Sequence, residues 1–279
     1  MGRGFERFSQ NPNIPPGPLS LEGLPLRNIY FIGTAGSGKS TLVNAFREWM
    51  VLHGLDSVTL NLDPGAEAIP YVPDIDIRDW IRLDDVMNEY ALGPNGAQIV
   101  CSDMIALKTK DVVSVVDTFK SDYLLIDTPG QMELFAFRQS SSVVVDALGK
   151  DDSFLVFLSD PQLSRTPSGF VSNLMLCAIT HFRFMIPFLN VLSKADMLGE
   201  EEIEKILGWS RDPYGLYDSL GQEQGTPQTV LSIELFKAME NIGMYREVVP
   251  VSAETPSGME DIYNMVQQVF EGGEDLSPD

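Results

Sequence analysis

One run of eight residues constrains this chain more than any other. Gly33-Thr34-Ala35-Gly36-Ser37-Gly38-Lys39-Ser40 matches the pattern G-x-x-x-x-G-K-[ST]. Ahead of it, Asn28–Gly33 is an apolar run with the length of a buried strand. Behind it, Thr41–Met50 carries apolar residues at helical spacing. The glycines let backbone N–H groups curl around phosphate oxygens, and the start of the following helix adds partial positive charge. Lys39 is placed to pair with the β- and γ-phosphates, and the Ser40 hydroxyl to ligate Mg²⁺. Gly36, Ser37, Gly38 and Thr41 complete the cradle. The pattern predicts a site for a nucleoside triphosphate.

The 279 residues can bury a full α/β core, and a hydrophobic content of 44% with 21% charged residues is that of a soluble globular protein. No apolar run approaches the length of a bilayer span, and Pro15, Pro16 and Pro18 lie where a signal peptide would need an apolar stretch. Two cysteines, Cys101 and Cys177, are too few for a disulfide framework, so free thiols and a cytoplasmic location are expected. His53 and His181 lie far apart and read as structural. Lys and Arg number 19 against 40 Asp and Glu, a net charge of −21. That field repels nucleic acid and anionic lipid, so neither is an expected partner, and the excess acid is read as support for solubility or as the mark of a salt-rich or otherwise demanding habitat.

Residues 1–26 are rich in proline and glycine and predict an extended or mobile arm. Strand-like runs then alternate with helical stretches. The runs are Ile29–Gly33, Ser57–Asp63, Tyr123–Asp127, Phe154–Ser159, Pro187–Leu192 and Val248–Val251. Their near-continuous Val, Ile, Leu and Phe content predicts strands covered on both faces, hence a mostly parallel sheet in a three-layer α/β fold. The main domain is expected over 27–271, with an insertion at about 64–120 and a helical one at about 200–246. Met259–Phe270 reads as an amphipathic closing helix, and 272–279 as an acidic tail.

Asp127-Thr128-Pro129-Gly130-Gln131 follows an apolar strand, and an aspartate at that position is where a Mg²⁺-coordinating carboxylate belongs. Gly130 can donate its N–H to a γ-phosphate, a contact that is released on hydrolysis. Gln131 can hold a water with one end of its amide. Asp63, in a Leu-Asp-Pro-Gly turn at the end of another strand, can orient that water or hold a Mg²⁺-bound one. It can also simply cap its own turn.

Ser193-Lys194-Ala195-Asp196 follows the run Pro187–Leu192 and resembles the Asn-Lys-x-Asp element of GTPases. In that element the aspartate accepts from guanine's two adjacent N–H groups and the lysine stem covers the ring. Adenine offers no such paired donors, so Asp196 specifies guanine. Serine stands where asparagine is usual, which weakens affinity more than it changes the base. Val251-Ser252-Ala253 fits the short Ser-Ala turn whose N–H approaches guanine O6.

Gly93-Pro94-Asn95 lies between Asp63 and Asp127. With Asn61-Leu62-Asp63-Pro64-Gly65, Asp74-Ile75-Asp76-Ile77-Arg78-Asp79 and Asp127-Thr128-Pro129-Gly130-Gln131-Met132-Glu133, it makes residues 27–271 resemble the GPN-loop GTPases of archaea and eukaryotes. The Ser193–Asp196 variant resembles archaeal members. The resemblance implies a P-loop fold of the signal-recognition/MinD-like type and a homodimer with GTP or GDP as ligand. It also implies that the Gly93-Pro94-Asn95 loop reaches the partner's active site, where Asn95 contacts the phosphate region. Asp63, Gln131 and Glu133 match positions thought to act on the attacking water. The extra P-loop lysine of many MinD-like ATPases is absent, with Thr34-Ala35 in its place. A neutral amide stabilises developing charge less than a guanidinium does, so slow turnover is expected, as suits a switch. An assembly client is implied by eukaryotic relatives. The competing readings are a nucleotide-gated chaperone and a partitioning or metal-insertion ATPase, the last disfavoured by the lack of a His-rich tract.

Overall fold

The computed structural model describes residues 26–223 and 227–271. The arm expected over 1–26 lies, Leu26 apart, outside the described residues, as does the acidic tail 272–279.

Seven strands form one sheet: β1 (Arg27–Gly33), β2 (Ser57–Asn61), β3 (Ile75–Asp76), β4 (Tyr123–Asp127), β5 (Ser153–Ser159), β6 (Phe188–Leu192) and β7 (Val248–Pro250). Their order is β3-β2-β4-β1-β5-β6-β7, and every neighbouring pair is parallel. The parallel sheet expected from the apolar runs is therefore present, with β3 as an addition. Two residues, Ile75 and Asp76, carry no readable period, which is why this edge strand is silent in the sequence.

Alternation along β1 shows how the layers are made. Ile29 and Phe31 point to one face, where α1 (Lys39–Leu52) and α10 (Met259–Glu271) bring Leu42, Phe46, Met50, Ile262 and Val266. Tyr30 and Ile32 point to the other, against α3 (Pro94–Val116), α4 (Met132–Ala136), α5 (Gln139–Leu148) and the C-terminal half of α6 (Pro167–Phe184). All seven residues of β1 are buried, as a central parallel strand requires. Between β6 and β7 the chain forms α7 (Glu200–Arg211), α8 (Pro213–Gln222) and α9 (Pro227–Asn241). Ile206, Trp209, Leu216, Leu220, Phe236 and Met239 of these helices pack on Phe170 and Leu174 of α6, a core of their own beside the sheet. Between β2 and α3 lie β3 and α2 (Leu83–Tyr90). Among the described residues, no helix is long and apolar enough to cross a membrane.

Because all strands run the same way, their C-terminal ends share one edge. Gly33, Asn61, Asp127 and Leu192 end β1, β2, β4 and β6 there. Ligands of open parallel α/β sheets bind outside this edge.

Candidate nucleotide-binding site

The phosphate loop leaves β1 at Gly33 and enters α1 at Lys39. Gly38, the N-cap of α1, has φ 93°, and Gly36 has φ 75°, both left-handed values that favour glycine. Gly33 is glycine for a different reason. A Cβ there would come within 2.8 Å of the Leu158 carbonyl oxygen, against the neighbouring strand. Ser37 donates its N–H to the Thr34 carbonyl at 3.1 Å, closing the turn. Lys39 is buried, and its ammonium donates to the carbonyls of Gly33 and Thr34 at 3.0 Å and of Gly130 at 2.9 Å. All three of its protons are thus spoken for. Burial pushes its pKa below the ordinary lysine value, while Asp127, Asp63 and Glu133 pull it back up.

Asp127, at the end of β4, stands behind this lysine. Its Oδ2 accepts from the Tyr71 hydroxyl at 3.1 Å, while its Oδ1 is buried with no hydrogen-bond partner. Burial raises its pKa to about 6, against the opposing pull of the Ser40 and Tyr71 hydroxyls and the Lys39 charge. A buried carboxylate oxygen without a partner, beside the Ser40 hydroxyl, is a donor set for a hard divalent cation. Among the described residues no group of three or more His, Cys, Asp or Glu could hold a metal ion by itself. One carboxylate and one hydroxyl are a donor set of the kind that suits Mg²⁺, which takes one or two protein oxygens and completes its shell with phosphate and water. Tyr71 escaped the sequence analysis. It lies 56 residues from Asp127 in an aperiodic connection, and no local signal announces it.

Asp63 caps its own turn, one of the two roles its sequence position suggests, and also reaches across the site. Its Oδ1 accepts from Gly65 N–H at 2.9 Å, capping its own turn. Its Oδ2 accepts from Gly130 N–H at 2.8 Å, across the site. The donor expected to face a γ-phosphate is therefore held by Asp63. Asn61 fixes Asp63 from below, accepting the Asp63 N–H at 3.0 Å and taking Asp76 as its own acceptor, also at 3.0 Å. Gln131 is exposed, and its amide donates to Gln98 of α3 at 3.1 Å. Asn95 sits in the first turn of α3, where Gly93 is the N-cap and Pro94 occupies the first helical position, a placement that suits proline's missing N–H. Asn95, Gln131 and Glu133 line one cleft of about 430 Å³ with Ile99, Leu134, Phe137 and Arg138.

On the other side of the phosphate loop lies a cavity of about 320 Å³ lined by Ser37, Gly38, Thr41, Lys194, Asp196, Met197, Ala253 and Glu254 among others. Lys194 adopts a left-handed backbone, φ 50°, and its ammonium donates to the Gly36 carbonyl at 2.7 Å. Its stem lies over Gly38, where an added Cβ would meet Lys194 Cε at 3.2 Å. Asp196 is exposed into the cavity, and its Oδ1 accepts from the Ser252 hydroxyl. Ser252 N–H donates to the Ser257 carbonyl at 3.1 Å, and within the Ser-Ala turn it is Ala253 that lines the cavity. Ser193, standing where asparagine is usual, donates its hydroxyl to the Ser159 carbonyl at 3.0 Å, tying the ends of β6 and β5 together.

The sites of the two histidines are structural. His53 Nδ1 meets the Trp49 carbonyl at 2.7 Å and His181 Nδ1 the Ile186 carbonyl at 2.9 Å. Cys101 and Cys177 are buried free thiols.

Residues 31–272 match a family model described as a conserved hypothetical ATP binding protein. GPN-loop GTPase 3 of Saccharomyces cerevisiae is 30% identical over 255 residues, covering 88% of this chain and 93% of that protein. A GPN-loop GTPase of Pyrococcus abyssi is 29% identical over 244 residues, 87% of this chain and 96% of its own length. GPN-loop GTPase 1 of Dictyostelium discoideum is 28% identical over 242 residues, and the matched region spans only 60% of that longer protein. The apo crystal structure of the Pyrococcus abyssi GTPase superimposes with a TM-score of 0.79 at 28% identity, covering 88% of this chain and 97% of that one. The phosphate loop, the Asp127 turn and the Asp196 cavity thus stand in a chain that shares its fold with the Pyrococcus abyssi GTPase over 88% of its length. The chain belongs to the family of GPN-loop GTPases.

Proposed function

We propose that the protein binds GTP with Mg²⁺, hydrolyses it to GDP and phosphate, and works as a homodimeric switch. The observation that carries the reading is the position of Asp196. Its carboxylate, held from behind by Ser252, faces a cavity that continues directly into Gly38 and Thr41 of the phosphate loop. A base there meets paired acceptors while its phosphates meet Lys39. The family model's description speaks of ATP, but adenine has no paired N–H groups for this carboxylate.

In this reading Ser40 and Asp127 would hold Mg²⁺, which would supply neutralising charge at the phosphates. Lys39 exchanges backbone carbonyls for phosphate oxygens. Gly130 N–H can serve only one strong acceptor, so a γ-phosphate that takes it releases Asp63 Oδ2. Freed, Asp63 can orient the attacking water together with Gln131 and Glu133. Loss of the γ-phosphate returns Asp63 to Gly130, and the turn carrying Gln131 moves with it.

The dimer reading rests on Asn95. It is exposed, its cleft is lined by neither Lys39 nor Ser40, and Ile99 and Phe137 beside it are 43% and 52% exposed. A second copy set against this face would cover the apolar pair and bring Asn95 to the partner's phosphates. The buried free thiols agree with a reducing, cytoplasmic setting. A client complex whose assembly follows the dimer's shape gives the switch something to act on.

The test is a titration of GTP, ATP and xanthosine triphosphate into the unmodified protein and Asp196→Asn. GTP is expected to bind far more tightly than ATP. In the variant GTP should lose about 2–4 kcal/mol and the xanthine nucleotide should gain, because its 2-carbonyl needs a donor. Equal affinity of the unmodified protein for ATP and GTP overturns the reading.

A further inference from the structure

We propose that Tyr71 sets the metal preference of the site by allowing Asp127 to offer the cation only one oxygen. The inference rests on Asp127 being a Mg²⁺ ligand.

Tyr71 lies on the connection from β2 to β3, eight residues beyond Asp63. Its ring is 8% exposed and belongs to the apolar layer of Phe31, Phe46 and Leu125. So anchored, the hydroxyl reaches Asp127 Oδ2 at 3.1 Å. The two carboxylate oxygens are thereby made unequal. Oδ2 is engaged by a donor on a rigid ring, while Oδ1 is buried without a hydrogen-bond partner, and the Ser40 hydroxyl lies by the same carboxyl group. A phenol does not swing on a flexible stem as serine or lysine would. Fixing Oδ2 also fixes the rotation of the carboxylate about its last torsion.

Divalent cations respond differently to that restriction. Mg²⁺ requires near-octahedral geometry and takes one oxygen from each carboxylate. Ca²⁺ is larger, accepts six to eight ligands and readily takes both oxygens of one carboxylate. A carboxylate with one oxygen pinned away suits the first ion and denies the second part of its shell. Groups that hold a ligand in this manner typically change metal affinity by about 10–100-fold when removed.

A second role for the same contact would be simple satisfaction of a buried carboxylate. The two roles differ in what they predict. A packing role weakens binding of every cation alike, whereas the pinning role changes the ratio between cations.

The experiment uses the full chain with a fluorescent GDP analogue and measures its affinity while Mg²⁺ or Ca²⁺ is titrated. For the unmodified protein the half-saturating Ca²⁺ concentration should exceed that of Mg²⁺. In Tyr71→Phe the Ca²⁺-to-Mg²⁺ ratio should fall about tenfold or more. Asp127→Asn should remove most of the dependence on either ion. If Asp127→Asn removes the dependence and Tyr71→Phe leaves the ratio unchanged, the Tyr71 proposal is overturned. If Asp127→Asn leaves metal dependence intact, the assignment of Asp127 to the metal has failed instead. Should Tyr71→Phe not fold, 4-aminophenylalanine and 4-methylphenylalanine at position 71 (the same ring with and without a donor) give the same comparison. Equal ratios in those two also overturn the proposal.

Discussion

The two ends of the nucleotide site are built on opposite plans. At the base end the recognition groups are held from behind. Ser252 fixes Asp196, Ser193 ties β6 to β5, and the Ala195 N–H reaches the Val251 carbonyl at 3.0 Å, all leaving the cavity open in front. At the phosphate end the groups hold one another. Lys39 sits on three carbonyls, and Gly130 gives its N–H to Asp63 and its carbonyl to Lys39. A base can enter the first end without breaking a protein hydrogen bond. A phosphate can reach Lys39 and the Gly130 N–H in the second only by exchanging bonds, displacing neutral carbonyls from the one and the Asp63 carboxylate from the other. Preformed groups give discrimination, and exchanged ones give movement. The base end should therefore decide which nucleotide binds, and the phosphate end should report which state it is in.

The largest expected effect breaks the phosphate end alone. Lys39→Ala removes the charge that meets the phosphates, and GTP affinity should fall at least about 100-fold, roughly 3 kcal/mol. Binding of guanosine, which has no phosphate, should change little, because the Asp196 cavity is untouched. Calorimetry with both ligands checks this. Equal losses for guanosine and GTP would show that the two ends are not separable.

Next in size are the variants that leave both ends bound and stop the chemistry. Asp63→Ala and Gln131→Ala should bind GTP nearly normally and hydrolyse it about 100-fold more slowly in single-turnover assays. Asp63→Ala has a second consequence peculiar to the exchange plan. With its competitor gone, Gly130 N–H is free for the γ-phosphate, so GTP should bind more tightly relative to GDP. Turnover at the unmodified rate would remove both residues from the mechanism, and an unchanged GTP-to-GDP ratio would remove the competition.

The same contrast governs how much could be read from the chain without its structure. The cradle at Gly33–Ser40, Asp127, Lys194, Asp196 and Ser252 each follow directly on an apolar run, so their place at the edge of a parallel sheet was legible from order alone. What escaped are contacts between segments with no period of their own. Tyr71 meets Asp127 from an aperiodic connection, and β3 is two residues long. Asp63 and Gly130 were both legible as members of the site, but not as partners, since their pairing depends on how two turns approach across β2 and β4. Gly93-Pro94-Asn95 opens a helix of 23 residues, and proline at the first helical position suits that start.

A smaller effect tests whether the phosphate end is complete in one chain. Asn95→Ala and Lys39→Ala should each be nearly inactive alone. In the proposed homodimer, mixing them gives pairs in which one site combines an intact phosphate loop with an intact partner asparagine, while the other lacks both. Activity should return to about a quarter of the unmodified level if subunits exchange randomly, since half the dimers are mixed and each has one good site of two. Confirmed exchange without recovered activity would place Asn95 in its own chain's cleft with Gln131 and Glu133.

The smallest effect belongs to the base end and is the sharpest test of its plan. Ser252 does not face the base. Its hydroxyl donates to Asp196 Oδ1 and accepts the Thr255 N–H at 3.2 Å, so its contribution is orientation. Ser252→Ala removes one hydrogen bond to a carboxylate that is itself open to water, which limits the loss to about 0.5–1.5 kcal/mol. GTP and GDP affinity should fall together by about threefold to tenfold, ATP affinity should stay where it is, and the hydrolysis rate of bound GTP should not change. In Asp196→Asn the same serine substitution should cost much less, because the group it orients no longer pairs with guanine. Equal costs in the two backgrounds would mean that Ser252 stabilises the 251–258 turn rather than Asp196. A loss confined to the hydrolysis rate would mean that the base and phosphate ends communicate more closely than their hydrogen bonding implies.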